Sequence, residues 1–230
     1  MKKLTKELTK SLVSDFGELT ADFFEVGIDA LMENDIVKEI PILGSVYKLS
    51  KIGLAIKEKH MLKKLYKFLY ELNTGEIDKE KLKKYQCKLN NNVKYAEEEL
   101  ERIIVILDSY TNVEKSEILA KLYKAYINER ISWEEFNEFS EINNRMFLED
   151  IPVLWAVWTG NYSSTKNSRN VFRTERLNSL GLIAFSMQAM NKSRMDYYLE
   201  LSSLGSSYSG ILFNHNDNKR YEDRYFLLQK

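Results

Sequence analysis

Cysteine, histidine, proline and glycine are all scarce in this chain, and each scarcity removes a class of explanation. One cysteine, Cys87, stands among 230 residues, so no intramolecular disulfide staples the fold. Its neighbours are lysines and no base is assigned to it, which leaves no case for a nucleophilic thiol. The two histidines, His60 and His215, lie far apart with no metal-ligand spacing around either, so a zinc site is not expected. His60 reads as a surface residue of a helix and His215 as a residue just past a helix C-terminus. Two prolines and nine glycines exclude a many-turned β architecture and favour long helices. There is no phosphate-cradling glycine-rich loop, no Gly-x-Ser-x-Gly elbow and no His-Glu-x-x-His helix, so neither catalysis nor a metal or cofactor is expected. No secretory leader pattern opens the chain; the expected location is cytoplasmic, with peripheral membrane contact as the alternative.

What is present is 44% hydrophobic and 12% aromatic residues, enough for a substantial core. Acidic and basic residues balance at 34 each, but unevenly along the chain. Residues 1–150 hold 24 basic and 28 acidic side chains, whereas 151–230 hold 10 and 6. The C-terminal excess directs any search for an anionic partner to that end.

Leu4, Leu8, Leu12, Phe16, Leu19, Phe23 and Val26 recur at helical spacing and predict an amphipathic helix over 2–33. A second helix is expected from about residue 42 to Asn73, its first half apolar on most sides. Two lysines near the middle make a bilayer span, which needs about 20 predominantly apolar residues, a poor reading. That half is expected to pack in a bundle core. The alternative is a conditional contact with lipid through Ile42, Val46, Leu49, Ile52 and Ile56.

Asp78 is placed to cap the next helical stretch, 79–109, within which Asn90-Asn-Asn92 marks a break. Glu97-Glu-Glu-Leu-Glu101 reads as a solvated helical face. Ser132-Trp-Glu-Glu135 is a capping box, with Ile131 and Phe136 as its hydrophobic staple, and with 116–128 it forms an αα-hairpin. A boundary is expected near Asp150-Ile-Pro152, then a helix over 152–159 stopped by Gly160 and a polar loop over 161–168.

The C-terminal region reads as a basic helix stopped by Gly181, two strands (182–187 and 195–201) and a Ser-capped helix. That order is a winged-helix-like module. Phe172, Leu177 and Leu180 are expected to face its core. Arg169, Arg173 and Arg176 gather on an outer side, while residues 188–194 would be the wing, with Lys192 and Arg194 at its tip. These five cations are the candidate nucleic-acid-binding set.

Three segments together carry a resemblance: Ile-Pro-Ile-Leu-Gly at 40–44, the hairpin at 122–136, and the Arg-Leu-Asn-Ser-Leu-Gly-Leu-Ile to Leu-Ser-Ser-Leu-Gly ending. They resemble uncharacterised bacterial and prophage helical proteins with a C-terminal winged-helix-like module, often near phage-defence genes. The resemblance implies bacterial or phage origin and a link to phage defence, and transfers no catalytic residue.

The expected fold is therefore mainly α: a multi-helix bundle over 1–150, then a small winged-helix-like α+β module over 151–230. The expected role is a non-enzymatic interaction protein whose partner is another protein or a second copy of itself. A DNA-binding regulator and a membrane-acting abortive-infection effector are the alternatives.

Overall fold

The computed structural model describes residues 2–13, 40–49, 56–74, 77–162, 171–191, 194–213 and 218–228. The chain is mainly helical, with one two-stranded antiparallel hairpin near the C-terminus. Its contacts cluster into two units, residues 1–140 and 141–230. The division falls ten residues before Asp150, inside a helix rather than at Pro152.

Unit 1 contains α1 (Lys2–Val13), α2 (Pro41–Leu49), α3 (Ile56–Asn73), α4 (Lys79–Asn91), α5 (Val93–Ser109) and α6 (Glu114–Ile127). The division falls within α7 (Trp133–Arg145). Leu8 and Leu12 of α1 and Ile42, Leu43 and Val46 of α2 are buried. The two helices pack together, and the backbone N–H of Ile42 donates to the Ser11 hydroxyl at 3.3 Å. Helix α3 packs on α2, α5 and α6 through Leu62, Leu65, Phe68, Leu69 and Leu72, the four-and-three spacing that one apolar helix face requires. Residues 14–33 and 50–55, over which both of these helices were expected to continue, lie outside the described residues.

The helix boundaries follow local chemistry. The Asp78 carboxylate accepts the N–H groups of Glu80 and Lys81. Asn92 ends α4 and caps α5 by accepting from Tyr95 at 3.0 Å, so the expected break falls on the Asn run. The C-terminus of α5 is held by Lys64, a buried residue whose ammonium donates to the carbonyls of Asp108 and Tyr110, each at 3.0 Å. Helix α7 opens on the expected capping box: Glu135 N–H donates to Ser132 at 3.1 Å, and Ser132 N–H to the Glu135 carboxylate at 2.7 Å. Ile131 and Phe136 are buried, as the staple requires.

In unit 2 a 3-10 turn (Leu148–Asp150) leads into α8 (Ile151–Trp158), followed by α9 (Val171–Ser179), β1 (Ile183–Asn191), β2 (Arg194–Leu201), α10 (Ser203–Leu212) and α11 (Asn218–Leu228). Pro152 sits in the first turn of α8, whose residues Ile151 to Ala156 are all buried, with α9, α10, α11 and β2 packed around it. The strands pair in the register Ile183↔Leu201 to Ala189↔Met195, with an irregularity between Ala189 and Asn191. They run longer than their apolar cores suggested, so most of the expected wing, 188–194, is strand rather than loop. Ser202 caps α10 by accepting from Gly205 N–H at 2.8 Å. Gly205 lies so close to Leu182 that a Cβ there would stand 1.8 Å from the Leu182 carbonyl oxygen, so only glycine fits.

Three helices end in one geometry. After α6, α8 and α9 the chain turns through a left-handed residue whose N–H and that of its successor reach back to the last helical turn: Glu129 and Arg130, Gly160 and Asn161, Gly181 and Leu182. Glycine adopts this conformation freely. At φ 54° Glu129 does so at a cost of about 1 kcal/mol.

Candidate functional site

Of the three buried carboxylates among the described residues, Glu117 pairs with Lys67 at 3.2 Å, and the other two each gather a polar cluster. In unit 2 the acid is Asp150, fully buried at the end of the 3-10 turn. The Arg176 guanidinium binds it through two nitrogens: Nε donates to Oδ2 at 2.8 Å, and Nη2 donates to Oδ1. Arg173 stands 3.6 Å from Oδ1 and donates to the Glu149 carbonyl at 3.0 Å. Both arginines come from α9, three residues apart, so one helix face delivers both to one acid. Arg176 also lies over the rings of Phe147 and Phe172, at 4.5 and 4.9 Å from the ring centres. These rings are 56% and 47% exposed. Of the three residues expected in the core, Leu177 is buried there, beside Thr174, and Leu180 is half-buried, whereas Phe172 stacks on the arginines from outside.

Of the five cations proposed for nucleic acid, Arg173 and Arg176 are therefore engaged by Asp150, with side chains 15% and 33% exposed. Arg194 opens β2 and pairs with Asn191 at the turn end of the hairpin. Arg169 and Lys192 lie outside the described residues, as does His215. Of the lipid-facing set, Ile42 and Val46 are buried, and Ile56 opens α3 at 89% exposure. Leu49 is the last residue of α2, and Ile52 lies outside the described residues. No helix among the described residues is long and apolar enough to cross a membrane.

The second carboxylate, Glu99 of α5, corrects the solvated reading of residues 97–101: it is 3% exposed and bonded to four phenols. Tyr123 donates to Oε1 at 2.8 Å and Tyr126 to Oε2 at 3.0 Å, and Tyr85 and Tyr95 donate to Oε1 and Oε2 respectively. The hydroxyls also touch one another, Tyr85 with Tyr123 and Tyr95 with Tyr126. Helices α4, α5 and α6 are thereby tied at one point. Burial, reinforced by the Glu99 charge, pushes the Tyr85 and Tyr123 hydroxyls well above the ordinary phenol range. Burial also raises Tyr95, and raises Tyr126 to about 12. Phenols held protonated in this way donate hydrogen bonds and do not act as bases. The signal in the sequence was faint: Glu99 is spaced three from Ala96 and four from Ile103, on the buried face of α5.

Among the described residues no three His, Cys, Asp or Glu side chains converge where a metal ion could sit. Cys87 is exposed. No family model, curated protein or solved structure matches the chain.

Proposed function

We propose that this chain is a non-enzymatic interaction protein of bacterial or phage origin, acting in phage defence or its control, and that unit 2 carries its contact surface. The observation that carries this reading is the layer formed by Phe147, Arg176 and Phe172. Two half-exposed aromatic rings flank a guanidinium whose fork is filled by Asp150. Aromatic rings and arginine are the residue types concentrated at the centres of protein interfaces. An arginine whose charge and two of whose five N–H groups are engaged by a buried carboxylate has less to offer a phosphate than a free one.

The partner is another protein or a second copy of this chain. A test compares wild type with Phe172→Asp and Phe147→Asp by affinity capture, sedimentation and phage challenge in a bacterial host. The proposal expects a retained protein, or a dimer, that both variants lose together with any effect on phage growth. A wild type that captures nothing, sediments as a monomer and leaves phage growth unchanged would end it.

A further inference from the structure

We infer that the cleft beside the turn joining α6 to α7 binds a phosphorylated small molecule. This cleft lies wholly within unit 1, so the inference goes beyond the interface reading and stands apart from it. Its volume, about 640 Å³, is in the range of small-molecule sites. Lys81, Lys84 and Lys88 repeat at three and four residues along α4 and line it, and Arg130 lines it too. Tyr85, Tyr126 and two isoleucines add apolar wall.

Four cationic side chains thus line the cleft with two carboxylates, and both carboxylates already have partners. Glu135 accepts the Ser132 N–H in the capping box, and Glu129 pairs with Lys84 at 2.6 Å. Lys81 donates one bond to the Asn128 carbonyl at 2.6 Å, which leaves two ammonium hydrogens for a ligand. The Lys88 ammonium stands 3.9 Å from the centre of the Tyr95 ring.

An independent observation comes from the backbone. Glu129 occupies a left-handed position that the two equivalent helix ends fill with glycine. The Glu129 carboxylate accepts from the Lys84 ammonium at 2.6 Å and so holds it at the cleft. That carboxylate stands in for the anion, and a phosphate group entering the cleft replaces it on Lys84.

Calorimetric titration of the full chain at low ionic strength, with sodium pyrophosphate in one arm and adenosine or guanosine 5′-monophosphate in the other, tests this. Saturable binding that weakens with salt is expected. Lys84→Gln and Lys88→Gln should each weaken it about tenfold, and Glu129→Gln, which removes the competing carboxylate, should tighten it several-fold. Preference for the nucleotides would identify a ring against Tyr85 and Tyr126, whereas equal binding would identify phosphate alone as the recognised group; either supports the inference. Should the lysine variants melt early, the tightening by Glu129→Gln alone decides. Absence of saturable binding by every probe, binding indifferent to these substitutions, or binding only of an oligoglutamate peptide overturns it.

Discussion

Glu99 and Asp150 are both buried acids from acid-bearing helical sequence, and they are satisfied in opposite ways. Glu99 is held by four neutral phenols from three helices, so its charge is dispersed into hydrogen bonds without being cancelled. Asp150 is held by two arginines from one helix, so its charge is balanced on the spot. The difference shows what each site can still do. The phenols are fully occupied and locked against ionisation, which makes the Glu99 cluster a brace for α4, α5 and α6. The Asp150 pair leaves the outer faces of its arginines to the rings of Phe147 and Phe172, which makes it a braced surface.

Replacing Glu99 with Leu breaks the comparison most severely. It removes the acceptor of four hydroxyls, two of them on the buried rings of Tyr85 and Tyr123, and urea unfolding should show a loss of about 4 kcal/mol. A neutral result would mean the cluster is no better than a well-packed apolar core. Alkaline pH attacks the same site without mutation. The folded-state pKa values of Tyr85, Tyr95, Tyr123 and Tyr126 lie above the unfolded value near 10, so their stabilisation is complete below that pH. As pH rises past 10 the unfolded chain loses protons that the folded chain keeps. Stability should then fall by up to about 1.4 kcal/mol per pH unit for each such tyrosine. Melting curves from pH 9 to about 11.5, with the tyrosinate absorbance of these four rings appearing only on unfolding, check this.

Arg176→Met tests the other half of the comparison. It leaves Asp150 with Arg173 alone, and since Arg176 is partly solvent-exposed the expected loss is about 2 kcal/mol, registered in unit 2 by hydrogen exchange. Tyr123→Phe removes one of four donors and should cost about 1 kcal/mol, the smallest of these effects. A loss as large as that of Glu99→Leu would show that the four bonds act as one network rather than as separate contacts.

Features with local causes were legible in the sequence. The capping box at Ser132, the Asp78 cap, Pro152 in a first turn, and the Gly160 and Gly181 stops depend on a few neighbouring residues, and each stands where the spacing put it. Apart from Tyr95, four residues before Glu99 on the same helix, both buried-acid sites depend on partners distant in sequence. Arg176 meets Asp150 across 26 residues, and Glu99 meets Tyr123 across 24. Neither pairing has a short-range pattern, and a run of four acids in five residues hid the one that faces inward. The strands extend through Gln188–Asn191 and Arg194 because backbone pairing continues where side-chain hydrophobicity does not. Phe172 was misplaced for a related reason: its ring packs on the arginines rather than into an apolar core.

Helix α9 presents arginines bonded to Asp150, and the surface they brace is proposed to take a protein. The most direct test is the affinity of wild type and Arg176→Met for duplex DNA, measured from low to physiological salt. No duplex binding by wild type at low salt and no change on substitution are expected. A wild-type affinity that falls steeply with salt, with a slope that drops by about one phosphate contact in Arg176→Met, would contradict it.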